Sequence, residues 1–177
     1  MKKHLFFAAL LLGAFISCKK NNSGSSASYH VTATVNGKAE TFNVNDVATK
    51  VSLGGATYIS ITGFVTSSPT GETLSLGLSN NAGGPAIKAG TYADTSTRYE
   101  VTGIYQSSIT QQYLAGSDVF INAQGGGTPL TNHFVLVVTA IDSSSIKGTF
   151  SGDYFIAGSP GSDKKIITNG DFYVKFH

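Results

Sequence analysis

From Tyr29 to the C-terminus apolar and polar residues alternate with a period of two, and this confines the chain to strands with one dry and one wet face. Val31, Ala33 and Val35 share one parity, and Thr32, Thr34 and Asn36 share the other. Asn36-Gly37 follows, a pair suited to a two-residue hairpin turn with positive φ at both positions, so residues 39–44 are expected to return as a strand. The pattern recurs at 57–65 (Ile59, Ile61, Val65), 73–79 (Leu74, Leu76, Leu78), 98–106 (Tyr99, Val101, Tyr105) and 118–123 (Val119, Ile121, Ala123). Residues 134–141 are apolar on both parities, which predicts a central strand covered on both faces. Residues 146–156 place Ile146, Phe150, Tyr154 and Ile156 on one side and Lys147, Thr149, Ser151 and Asp153 opposite. Gly148 and Gly152 share the inward parity, which predicts a bend or a close backbone approach. Phe172, Val174 and Phe176 form the last strand.

Between these runs lie Gly, Pro, Asn and Ser clusters at 67–71, 80–85, 125–127 and 158–161, and no stretch shows a helical period. The reading is therefore all-β: an antiparallel β-sandwich of about 8–10 strands, with a lipocalin-like β-barrel as the alternative. The two-sided run at 134–141 favours the sandwich, because a layered strand is covered twice. Cys18 is the sole cysteine, so no disulfide holds the domain and the apolar core must suffice.

The first residues obey a different rule. Lys2 and Lys3 precede an almost wholly apolar run at 5–16, shorter than the ~20 residues that span a hydrocarbon core. Residues 1–17 thus read as a signal peptide. Phe15-Ile16-Ser17-Cys18 resembles the lipobox of bacterial lipoproteins, with Phe15 where Leu is commonest, a relaxed form typical of Bacteroidota-like bacteria. The resemblance implies that Cys18 becomes an acylated N-terminus carrying palmitate-type chains, each buried methylene of which contributes ~0.8 kcal/mol of membrane affinity. It also implies an outer-membrane address, because no Asp follows the cysteine, and a periplasm-facing position, because no acidic cluster follows it. Residues 18–28 are then the lipidated cysteine and a flexible polar tether, and 29–177 a single domain.

Three further landmarks carry a second resemblance: Ile87-Lys88-Ala89-Gly90-Thr91-Tyr92, Gly148-Thr149-Phe150-Ser151-Gly152 and Ile167-Thr168-Asn169-Gly170-Asp171-Phe172. Together they resemble small Bacteroidota-type outer-membrane lipoproteins with an uncharacterised β-rich domain. That family implies no activity.

The chemistry is sparse. Of 12 basic residues two belong to the signal segment, which leaves ten against 10 acidic ones and no basic stripe for nucleic acid. The domain has three histidines, His30, His133 and His177, of which His133 beside the 134–141 strand is the one placed for a buried role. Neither a zinc motif nor a nucleophile elbow is present, so no metal, no cofactor and no enzyme activity are expected. Asp94, Asp142, Asp153, Asp163 and Asp171 read as turn or exposed-face residues. Tyr92, Tyr99, Tyr105 and Tyr113 gather in one third of the chain near Arg98, Gln106, Gln111 and Gln112. Aromatic faces with amide donors suit a glycan or an envelope protein, so these four are the expected ligand-binding residues. The expected function is a non-catalytic binding or interaction domain tethered to the membrane through Cys18. Its rivals are a carrier of a small apolar ligand and a hydrolase, the latter only if His133 meets an aspartate and a serine. No motif specifies the ligand, the partner or an oligomeric state.

Replacing Cys18 by Ser should give a soluble or unprocessed form, read by phase partitioning and by size, and abolish labelling with radioactive palmitate. Unchanged partitioning at unchanged size would refute the acyl anchor.

Overall fold

The computed structural model describes residues 28–68, 71–125, 129–156, 160 and 163–177. Residues 1–27, which include the expected signal segment, Cys18 and most of the expected tether, lie outside the described residues, as do most of the turns expected at 125–127 and 158–161. Eleven strands run β1 (His30–Val35), β2 (Lys38–Thr41), β3 (Val44–Leu53), β4 (Ala56–Phe64), β5 (Thr73–Asn80), β6 (Gly90–Ala93), β7 (Tyr99–Ser108), β8 (Gln111–Gly116), β9 (Val135–Ile141), β10 (Ser145–Ile156) and β11 (Lys164–Lys175). One helix, α1 (Ser117–Gln124), separates β8 from β9 among the described residues.

The ladder order is β2-β1-β11-β10-β8-β7-β5-β4-β3, with β9 paired to β10 and β6 paired to β9. Every strand–strand ladder is antiparallel. The walls that face each other belong to one curled sheet. Its far strand returns to the start through a parallel bridge between Ala48 and Phe176, and the His177 N–H donates to Ala48 O at 3.0 Å.

β10 makes the branching possible. Its Ile146–Ser151 stretch pairs with β9, while Phe155 and Ile156 pair with β8. Between these stretches Gly152 sits at φ 154°, and a Cβ there would lie 2.8 Å from the Phe134 Cα. The register against β11 also shifts between Phe150 and Gly152. The glycine read as a bend is one, and a bulge of this kind turns a strand from one wall to the next.

The inward parities fill the curl. Val31, Ala33 and Val35, then Ile59 and Ile61, then Leu74, Leu76 and Leu78 are all buried, as their alternation requires. Phe42, Tyr113, Phe134, Tyr154 and Phe172 are the largest fully buried side chains. Phe134 meets Tyr154 edge-to-face at 5.7 Å, and Phe42 meets Tyr105 at 6.4 Å. The Tyr154 ring occupies the space beside Gly103, where a Cβ would stand 2.5 Å from its hydroxyl. Burying each large side chain contributes roughly 1.5–3 kcal/mol, so the core needs no covalent brace.

Asn36 (φ 48°) and Gly37 (φ 84°) form the expected two-residue turn between paired Val35 and Lys38. Gly54 and Gly55 do the same between Leu53 and Ala56. The strand expected at 39–44 stops at Thr41; the Phe42 N–H still donates to Val31 O at 2.8 Å, and its side chain is fully buried in the core.

Two expectations are corrected. Residues 118–123 are helical: Gly116, at φ 113°, turns the chain out of β8, and Asp118 stands in the first turn, where the helix dipole favours a carboxylate. Val119 is buried and Ile121 is 63% exposed, so the apparent alternation has no inward face to serve. β9 is covered on one side only. Leu136 and Val138 are buried, Val135 and Val137 are half-buried, and Thr139 and Ala140 are exposed.

Gly152→Ala should lower stability by about 1–3 kcal/mol, because its backbone strain and the contact with Phe134 cannot both relax. A urea midpoint equal to that of the parent would show that the bend does not need glycine.

Candidate functional site

The four tyrosines expected to bind ligand are core residues instead. Tyr92, Tyr105 and Tyr113 are 4%, 4% and 0% exposed, and Tyr99 is half-buried. They lie on the inward parity of β6, β7 and β8, so the curl of the sheet closes over them. Their hydroxyls are used structurally. The Tyr92 hydroxyl donates to Lys88 O at 2.6 Å and accepts from the Lys88 N–H at 2.9 Å, resembling the tyrosine corners that pin loops in other β-folds. Tyr113 donates to Asp163 at 3.0 Å. Burial, with Glu72 nearby, pushes the Tyr105 hydroxyl well above the ordinary tyrosine pKa. The Tyr99–Val101–Tyr105 alternation already carried this placement, because tyrosines on the parity of a buried valine belong to the core.

Tyr58 does face outward, 50% exposed, beside Val51 at 55% and Leu53 at 75%. It stands on the polar parity of β4, opposite Ile59 and Ile61. The ladder registers align two cross-strand rows over β3, β4, β5 and β7. One runs Val51, Tyr58, Ser79, Glu100, and the next runs Thr49, Ser60, Gly77, Thr102. With strands ~4.8 Å apart, each row is about 14 Å long. These rows line a trough of about 290 Å³. Gly77 lets its neighbours close in, since a Cβ there would lie 2.3 Å from the Thr102 hydroxyl. The face combines one aromatic ring, several hydroxyls and the Glu100 carboxylate, a set able to stack and to hydrogen-bond in both senses.

A second cluster lies where the chain leaves α1 for β9. His133 Nδ1 is 3.0 and 3.2 Å from the two Asp94 oxygens, and the Phe134 N–H donates to Asp94 Oδ2 at 2.9 Å. The Asp94 side chain is 1% exposed and that of His133 44%. The hydrogen-bond geometry assigns the proton of the neutral ring to Nδ1, which leaves Nε2 as an acceptor. The Phe120 ring stands 5.7 Å from the imidazole, and a cavity of about 300 Å³ opens among Phe120, Ala123, Gln124, Pro129, Leu130 and His133.

One residue earlier, Asn132 donates to Asp153 at 2.9 Å, and the Asp153 N–H returns a bond to Asn132 O at 3.1 Å. Lys164 completes the group, with Nζ 2.8 Å from Asp153 Oδ2. Asp94 and Asp153 are therefore buried anchors of the segment 132–134, which corrects their reading as turn or exposed-face residues. The bulge at Gly152 makes the difference for Asp153, turning its side chain off the wet face. Asp142 is the turn residue expected: bonds from the Ser144 and Ser145 N–H groups hold its carboxyl below the usual pKa range.

The Asp94–His133 pair has the first two parts of a hydrolytic triad without the third. Ser117 Oγ accepts from the Val101 N–H at 3.1 Å, Ser96 Oγ accepts from the Arg98 and Tyr99 N–H groups, and no described hydroxyl bonds to His133. Among the described residues no group of three or more His, Cys, Asp or Glu is placed to hold a metal ion.

Asp94→Ala should cost about 1–3 kcal/mol, because the buried Phe134 N–H loses its acceptor. His133→Ala, which removes a partly solvated ring, should cost less than half as much; the order of the two urea midpoints checks this. No protein-family model, curated protein or solved structure matches this chain, so the two surfaces themselves carry the functional argument.

Proposed function

We propose that this protein is a membrane-tethered, non-catalytic binding domain of the bacterial envelope, anchored through acyl chains on Cys18 in the outer membrane and facing the periplasm. Its partner is a glycan, taken on the outer face of β3, β4, β5 and β7. The observation that carries this reading is the pair of aligned rows in which Tyr58 stands exposed beside the hydroxyls of Ser79, Ser60, Thr49 and Thr102. An exposed tyrosine within a half-polar sheet face offers a flat apolar surface for the C–H side of a sugar ring. The surrounding hydroxyls and Glu100 can pair with its O–H groups. The rigid ladder holds them in place before a ligand arrives, which keeps the ordering cost of binding low.

The rival readings gain less support. A carrier needs a cavity within the curl, where Phe42, Tyr113, Phe134, Tyr154 and Phe172 pack together. A hydrolase built on Asp94 and His133 needs a hydroxyl that neither Ser96 nor Ser117 supplies.

A glycan array probed with the detergent-solubilised lipoprotein should return at least one class of envelope polysaccharide, and Tyr58→Ala should weaken that binding at least tenfold. An empty array, or equal binding by parent and variant, would overturn the assignment.

A further inference from the structure

The anchoring of segment 132–134 explains one nitrogen of His133 and leaves the other unexplained. Nδ1 serves Asp94, while Nε2 has no hydrogen-bond partner among the described residues on a side chain 44% exposed. A ring needed only as a latch would be equally served by an asparagine, whose amide can donate the same bond. The imidazole instead borders a cavity of about 300 Å³ whose other walls are the Phe120 ring, Ala123, Pro129 and Leu130, with the Gln124 amide at the edge. This volume is at the low end of those that hold small molecules, and the lining has the usual composition: mostly apolar, with very few polar atoms.

We propose that this cavity is a second binding site, independent of the sheet face, for a small neutral aromatic molecule carrying one hydroxyl donor. Phe120, Ala123 and Leu130 enclose the ring, and His133 Nε2 accepts its hydrogen bond. Asp94 gives the site its sense. In the neutral ring a buried carboxylate on Nδ1 fixes which nitrogen is the acceptor, so a donor is preferred over a second acceptor. The same negative charge, with no cation among the described lining residues, disfavours an anionic ligand. A molecule of the right shape without the hydroxyl would leave Nε2 facing an apolar surface unpaired, and should bind more weakly for that reason.

The test uses p-cresol, with p-xylene as the isostere lacking a hydroxyl and benzoate as an anion. Each is titrated into the 15N-labelled chain from residue 18 onward carrying Cys18→Ser, which lacks both the apolar run 5–16 and the acyl chains. p-Cresol should shift the His133 imidazole nitrogens and the Phe120 and Ala123 amides along one saturating curve. p-Xylene and benzoate should bind at least tenfold more weakly. His133→Phe should weaken p-cresol binding at least tenfold, and Ala123→Phe, which fills the cavity and leaves the imidazole intact, should abolish it even if His133→Phe fails to fold. Absence of saturable shifts, equal affinity for p-cresol and p-xylene, or p-cresol binding that survives Ala123→Phe would overturn the proposal. Glycan binding through Tyr58 is read on the opposite variants, so failure of either site leaves the other standing.

Discussion

The bend of β10 at Gly152 is the constraint on which the rest of the structure depends. A strand that kept one direction could pair with β9 or with β8, but not with both; a backbone at φ 154° lets it change neighbours within four residues. The absence of a side chain there lets the backbone of Phe134 press directly onto the bend. Asp153, the next residue, is rotated inward, where Asn132 and Lys164 meet it. The entry to β9 is thereby held from two directions, by Asp153 at Asn132 and by Asp94 at His133 and Phe134. Each carboxylate is nearly inaccessible to water and is bonded at both oxygens, which is the condition for a buried charge to be tolerated.

Much of this architecture was legible in the residues. Alternation found β1, β4, β5, β7, β10 and the C-terminal end of β11, because each has one face on the core and a period of two survives in its letters. Asn36-Gly37 announced its own turn, and Gly152 its bend. β3 was harder: its residues are mostly exposed, so its polar and apolar positions carry little contrast. The Gly54-Gly55 pair after it was the available signal. The helix was misread because Val119, Ile121 and Ala123 mimic a strand when only one of them is buried, and eight residues are too few to display a 3.6 period.

The candidate surfaces were less legible, for a physical reason. Parity says which tyrosine faces inward, but only the register across four strands shows which outward residues become neighbours. Tyr58 and Glu100 are 42 positions apart and meet through Ser79 alone. The Asp94–His133 pair likewise bridges β6 and the start of β9. His133 stood out by its position, whereas nothing in the letters around Asp94 separates it from the aspartates of ordinary turns.

The pairing of the first strand with the last has a temporal consequence. Val31 lies opposite Phe172, and Thr32 opposite Asp171, so β1 has no partner in the ladder beyond β2 until the C-terminus is available. At ~5–20 residues per second, a ribosome takes roughly 7–30 s to deliver the second half of that pair after the first. Throughout that interval the chain lacks its closing strand and cannot seal its interior. A molecule built in this way stays open while it is being made, the state in which a polypeptide can still be threaded through a narrow pore.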